Sequence, residues 1–88
     1  RLAWEQPRPA DDLVMYCTPW CNDCRETRAW LHEQGIPYKE IDISKDRVAA
    51  KRVQAWAHGH ETTPTFDYKG QIIVEDVAKL KELMGITA

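Results

Sequence analysis

The chain has 88 residues, of which 43% are hydrophobic and 30% charged, with a formal net charge of −2. This composition excludes intrinsic disorder, the length allows one small domain with a thin core, and the charge balance gives no general drive towards nucleic acid or anionic lipid. No apolar run approaches the roughly 20 residues of a membrane helix, and a chain beginning at Arg1 leaves open a leader removed upstream.

Residues Arg1 to Asp12 carry Pro7, Pro9 and several charges without periodicity, so they read as an irregular N-terminal extension, with Trp4 as its anchor. The domain proper is expected over residues 13–88. Leu13-Val14-Met15-Tyr16 is a short apolar run suited to a buried strand. Cys17 to Cys24, with Thr18-Pro19 inside it, reads as a loop that ends in a helix start. The spacing predicts a helix from Asp23 to about Gln34, with Ala29, Trp30 and Leu31 on its apolar side and Cys24 and Thr27 a turn earlier. Gly35 and Pro37 stop it. Tyr38 to Ile43 alternates as a second strand. Ser44 is the expected N-cap of a helix from about Lys45 to Ala57, whose stripe is Val48, Ala49, Val53, Trp56 and Ala57 and whose stop is Gly59. Thr65 to Tyr68 and Gln71 to Val74 are two strands joined at Lys69-Gly70, a hairpin signal. Asp76 caps a last helix with Val77, Leu80, Leu83 and Met84 facing inward. The order β-α-β-α-β-β-α predicts an α/β fold: a four-stranded mixed sheet covered by helices, parallel in its first part and antiparallel in its last.

Three cysteines, Cys17, Cys21 and Cys24, fall within eight residues. So tight and odd-numbered a group staples nothing distant, so it reads as chemistry: a redox pair, a zinc site or an iron–sulfur site. Cys21-Asn22-Asp23-Cys24 follows a strand and opens a helix. The free N–H groups and dipole of a helix start favour an anion there, and a thiolate is the nucleophile of thiol–disulfide exchange. This context predicts that Cys21 attacks a disulfide and that Cys24 resolves the mixed disulfide. Trp20 offers an apolar shoulder, and Asp23 is an acid between the two thiols. Thr62-Thr63-Pro64-Thr65 is the second piece. Pro64 opens the third strand, either as a plain trans strand start or as a cis proline beside the dithiol, with the Thr63 backbone free to pair with an extended substrate.

With these pieces in hand, the sequence resembles the glutaredoxin family of the thioredoxin fold. The resemblance runs from Leu13 to Ile86. It is carried by Val14-Met15-Tyr16-Cys17-Thr18-Pro19-Trp20-Cys21-Asn22-Asp23-Cys24, by Gly35-Ile36-Pro37-Tyr38 leading into Glu40-Ile41-Asp42-Ile43, and by Thr62-Thr63-Pro64-Thr65. The Trp20-Cys21 pair and the stretch from Trp56 through Gly59 to Thr65 look most like mycoredoxins and related glutaredoxin-like proteins. The resemblance implies a cytoplasmic, monomeric oxidoreductase with a redox-active centre, serving electron transport and cell redox homeostasis. It implies Cys21 as nucleophile, Cys24 as resolving cysteine, Pro64 as cis proline and Thr63 as the residue whose backbone pairs with a bound thiol peptide. It implies no tightly bound cofactor. A low-molecular-weight thiol, glutathione or mycothiol, would be the co-substrate, and disulfide-containing proteins the substrates.

Two positions depart from the family pattern. Thr18 stands where glutaredoxins often place a Lys against a glutathione carboxylate. Val74-Glu75-Asp76-Val77 stands where they carry a Gly-Gly-x-Asp-Asp-like loop, although Glu75 and Asp76 can still meet a ligand amine. The reductant thus stays open among glutathione, mycothiol, another thiol and a thioredoxin-reductase-type flavoenzyme. The alternative function is an iron–sulfur cluster carrier using the same cysteines, although one chain offers three thiols where a closed tetrahedral site needs four ligands. The Cys-x3-Cys-x2-Cys spacing resembles radical S-adenosylmethionine enzymes, which a chain this short cannot house. His58 and His60 read as solvated loop residues, and Cys17 as an inert buried side chain.

Overall fold

The computed structural model describes residues 12–85. The expectations for Trp4, for residues 1–11 and for residues beyond Gly85 lie outside them. The elements are β1 (Leu13–Cys17), α1 (Asn22–Glu33), β2 (Lys39–Asp42), α2 (Arg47–Trp56), β3 (Thr65–Tyr68), β4 (Gln71–Val74) and α3 (Val77–Leu83). Their order is the predicted one. The sheet runs β2-β1-β3-β4. β1 pairs in parallel with β2, with Tyr16 opposite Ile41. It pairs antiparallel with β3, with Met15 opposite Phe66. β3 and β4 form the hairpin. No described helix is long and apolar enough to cross a membrane.

Strand β1 is central, so both of its faces are covered. Alternation sends Leu13, Met15 and Cys17 to one face, where they join Cys24 and Leu31 of α1, Phe66, Ile73 and Leu80 of α3. Tyr16 goes to the other face and joins Ile43 with Ala49, Ala50 and Val53 of α2. Two helices therefore cover one side of the sheet and one helix the other. Each fully buried Leu, Ile or Phe contributes on the order of 1.5–3 kcal/mol. Cys17 and Cys24 thus belong to the main core.

Local chemistry sets the element ends. At the close of α1, Gly35 donates to the His32 carbonyl at 3.1 Å and Ile36 to that of Leu31 at 2.9 Å. This double return needs a left-handed residue, and Gly35 takes φ 67° without a Cβ penalty. Lys69 and Gly70 have φ 53° and 87°, the two left-handed positions of a tight two-residue hairpin turn.

Three expectations are corrected. Asp46, not Ser44, caps α2, accepting from the Ala49 amide at 3.0 Å. Ser44 turns back instead, its amide and hydroxyl donating to Asp42 Oδ1 at 2.9 and 2.5 Å. The helix therefore begins at Arg47, and the shift in register leaves Val48 on the exposed side, with Ala50 buried in its place. Ala29 is also exposed, because the buried line of α1 is Cys24, Thr27 and Leu31. At the end of α2, His58 takes the first left-handed position at φ 56°, one residue before Gly59.

Candidate active site

The site lies where β1 feeds α1. Cys21 is the N-cap of α1, with extended backbone, and its Sγ accepts from the Cys24 amide at 3.3 Å. Oxygen usually fills this role; here sulfur meets the orphan N–H groups of the helix start, where negative charge is favoured. Cys21 is partly exposed and Cys24 fully buried, and all three cysteines are free thiols. The pair is thus unequal: one sulfur can meet a partner in solvent and the other cannot.

The Cys24 thiol is buried yet acidic. The Cys17 thiol gives the largest stabilisation of its anion, and the Cys21 side chain, the Thr18 backbone and the Thr63 side chain add to it. Together these outweigh burial and hold the Cys24 thiol at about 7, below its ordinary 9.0. Cys17 is driven the other way, far above the ordinary thiol range, by its hydrogen bond to Cys24, by burial, and by the charges of Cys24, Glu40 and Cys21.

The predicted residues divide into two sides. The Thr63–Pro64 bond is cis, and Pro64 is buried with its carbonyl accepting from the Glu75 amide at 2.8 Å. Thr63 precedes it and is half-buried. Next to it in the chain, Thr62 lines a groove of about 500 Å³ with Trp56, Ala57, His58, Val74, Glu75 and Asp76. Glu75 and Asp76 are therefore brought together with the proline loop. The Asp76 carboxylate is also engaged in capping α3, accepting from the Lys79 amide at 3.0 Å. Thr18 falls elsewhere, in a hollow of about 320 Å³ lined by Cys17, Pro19, Arg28, Glu40 and Asp42. Across that hollow Arg28 grips Glu40 with two bonds, 2.8 and 2.6 Å, and ties α1 to β2. Trp20 is 72% exposed and beside Cys21 in the chain.

Sequence reasoning missed the groove's far wall. Trp56 was expected in the core; it is half-buried, edge-on to Tyr16 at 5.5 Å between ring centres, and lines the groove. His58 is exposed as expected, yet it also lines the groove. The available signal was its place just past a helix end. Cys17 is buried, as expected, in the same core cluster as Cys24. Among the described residues, no group of three or more His, Cys, Asp or Glu is arranged to hold a metal ion.

The glutaredoxin family model matches residues 13–73. The chain belongs to the glutaredoxin family. A candidate glutaredoxin of Mycobacterium tuberculosis is 36% identical over 56 residues, 64% of this chain and 67% of that protein. The global transcriptional regulator Spx of Listeria monocytogenes is 38% identical over 42 residues, 48% of this chain; the chain spans only 32% of that regulator's length. In three dimensions, a thioredoxin-like protein superposes with a TM-score of 0.75 at 26% identity, covering 86% of this chain and 97% of its own. The glutaredoxin of Archaeoglobus fulgidus follows at 0.69 and 23%, covering 83% and 85%. A buckwheat glutaredoxin–glutathione complex scores 0.66 at 20%, covering 84% and 70%. The thioredoxin fold follows from this membership.

Proposed function

We propose that this glutaredoxin reduces disulfides or mixed disulfides through the Cys21/Cys24 pair. The observation that carries the reading is the unequal pair itself: a partly exposed sulfur capping a helix and hydrogen-bonded to a buried one. Cys21, capping the helix start, makes the attack. Cys21 Sγ bonds to one sulfur of the substrate disulfide, whose S–S bond breaks, and the departing thiolate takes up a proton. Cys24 Sγ, as thiolate, then attacks Cys21 Sγ. The second thiolate leaves, the Cys21–Cys24 disulfide closes, and the two electrons of the dithiol have passed to the substrate. Two equivalents of a small thiol, or a flavoenzyme, restore the dithiol.

Trp20, Thr63 and Pro64 shape the approach to Cys21, with Thr18 on the opposite flank and Glu75 and Asp76 on the groove floor. The cavity beside the proline loop is of a size for a small thiol, and the glutathione complex of the buckwheat relative supports placing it there. Its lining contains two carboxylates and no Lys or Arg, which favours mycothiol or another thiol with few negative charges over glutathione. The protein acts as a monomer in the cytoplasm, where a reducing thiol pool keeps such a pair reduced. Residues 13–88 form the working domain.

NADPH-coupled disulfide reduction, run in parallel with glutathione, mycothiol and thioredoxin-reductase systems, tests this reading. Turnover is expected with one system, and Cys21→Ser abolishes it. Full activity in Cys21→Ser together with loss in Cys17→Ser would overturn the choice of nucleophile.

A further inference from the structure

The sheet registers bring two acid-bearing helix starts to one end of the fold. Cys17 ends β1, Tyr16 lies opposite Thr65 and Thr65 opposite Val74, so the turn after β4 emerges at the same end as the start of α1. Asp23 and Glu26 of α1 line a hollow of about 170 Å³ whose far side is Val77 and Lys81 of α3. Glu75 and Asp76, just before Val77 in the chain, line the larger groove. All four carboxylates are exposed, and none is in an ion pair among the described residues. Lys81 is the one cation lining either hollow, and it lies over the Trp30 ring, 4.8 Å from its centre. Arg25 and Lys79, in the first turns of the same helices, line neither. On the remaining flank the charges are matched: Arg28 is bonded to Glu40, and Lys45 opposes Asp42. Helix chemistry accounts for two of the acids, since Asp76 caps α3 and Asp23 meets the dipole in the first turn of α1. It does not account for Glu26, a turn further on, or for Glu75, which holds φ 64° where a residue without a Cβ is favoured. Beside Cys21 in the chain, Trp20 is 72% exposed, and its ring is the type that attracts a cation most strongly.

We propose that the acidic rim of Asp23, Glu26, Glu75 and Asp76, with the exposed Trp20, makes the dithiol selective for cationic disulfides: protein clients that carry Lys or Arg beside their cystine. The inference rests on the dithiol reading above and leaves its chemistry unchanged. Cys21 Sγ bonds to one sulfur of the disulfide and the other leaves as a thiolate. The Cys21–Cys24 disulfide closes as the second thiolate leaves, and two electrons pass from the dithiol to the client. The rim acts on the encounter, drawing positive charge to Cys21 and repelling negative charge. In water, one charge about 10 Å from another changes such an encounter by about twofold, and several carboxylates multiply the effect.

The test reacts the whole reduced chain, in single turnover at about pH 7, with three small disulfides: cationic cystamine, neutral hydroxyethyl disulfide and anionic dithiodipropionate. Each rate is divided by that of dithiothreitol, a neutral dithiol, which removes differences in the leaving thiol. At about 10 mM salt, where charges are felt over about 30 Å, the normalised rate for cystamine is expected to exceed that for dithiodipropionate at least about tenfold. At about 1 M salt the two should come within about twofold of each other. Asp23→Asn with Glu26→Gln should cut the low-salt ratio at least about threefold, and Glu75→Gln should cut it about twofold. The acidity of the cysteines enters both rates alike and cancels in the ratio. Glu33→Gln with Glu82→Gln removes as much charge from the far ends of α1 and α3, and leaves the ratio unchanged. A peptide disulfide flanked by Lys should outrun one flanked by Glu in the same way. A ratio near one at low salt, or an equal loss in the distal pair, would overturn the proposal. No reaction with any of the three disulfides, the neutral one included, would overturn the dithiol reading and this inference with it, so the two failures are distinguishable.

Discussion

The acidity of Cys24 makes the stability of the reduced protein depend on pH in a way its oxidised form cannot share. Folding lowers this thiol from 9.0 to about 7. An acid whose pKa falls on folding stabilises the fold fully above its unfolded pKa, and the gain is lost as pH falls through the folded value. The contribution is below about 1 kcal/mol at pH 7, about 1 kcal/mol at pH 8 and about 2 kcal/mol at pH 9, towards a limit of about 3 kcal/mol. Cys17 has the opposite sign: its pKa rises on folding, so it erodes stability once the unfolded thiol ionises near 9.0. The useful window is therefore pH 6 to about 9. Thermal melts of the dithiol and of the Cys21–Cys24 disulfide form should diverge across it. At about 4–8 °C per kcal/mol for a domain of this size, the reduced form gains about 10 °C relative to the oxidised one between the two ends. Groups that titrate alike in both forms cancel in the difference. Parallel melting curves would refute the reasoning, since they would mean that Cys24 is no more acidic folded than unfolded.

Other perturbations separate chemistry from scaffold. Cys24→Ser leaves the first attack intact and removes the second, so mass spectrometry should find the protein held as a mixed disulfide on Cys21. Trp20→Ala removes a side chain that is 72% exposed, so stability should stay within about 0.5 kcal/mol while KM for protein disulfides rises. Asp46→Ala deletes the cap of α2 and should lower stability by about 1 kcal/mol in urea titration, with activity per folded molecule unchanged.

Much of this architecture was readable from the chain because its signals are short-range. The apolar run at Leu13, the double stop at Gly35 and Pro37, the turn at Lys69-Gly70 and the cap at Asp76 each act within a few residues. So does the placing of Cys21 and Cys24 on a helix start. Ser44 misled because two side chains compete for the same turn. Asp42 takes Ser44's hydrogen bonds, and the cap passes to Asp46. That displacement of the helix start put Val48 outside. The surroundings of Cys17 were hidden for a different reason. A strand-end cysteine reads as filler until the opposite face of the helix start is known, and the contact with Cys24 depends on how β1 and α1 pack. The groove was hidden too, since Trp56, Thr62 and Glu75 are brought together by tertiary packing alone.

All three sulfurs come from the single β1–α1 passage, whereas the groove beside them is built from the end of α2, the proline loop and the turn after β4. On the proposed reading, most of the recognition surface is thus written in a different stretch of the chain from the sulfurs, Thr18 and Trp20 excepted. If the proposed groove admits the thiol, substitutions at Trp56, His58, Thr62 or Glu75 retune which thiol is admitted and leave the stretch that carries the three cysteines unchanged.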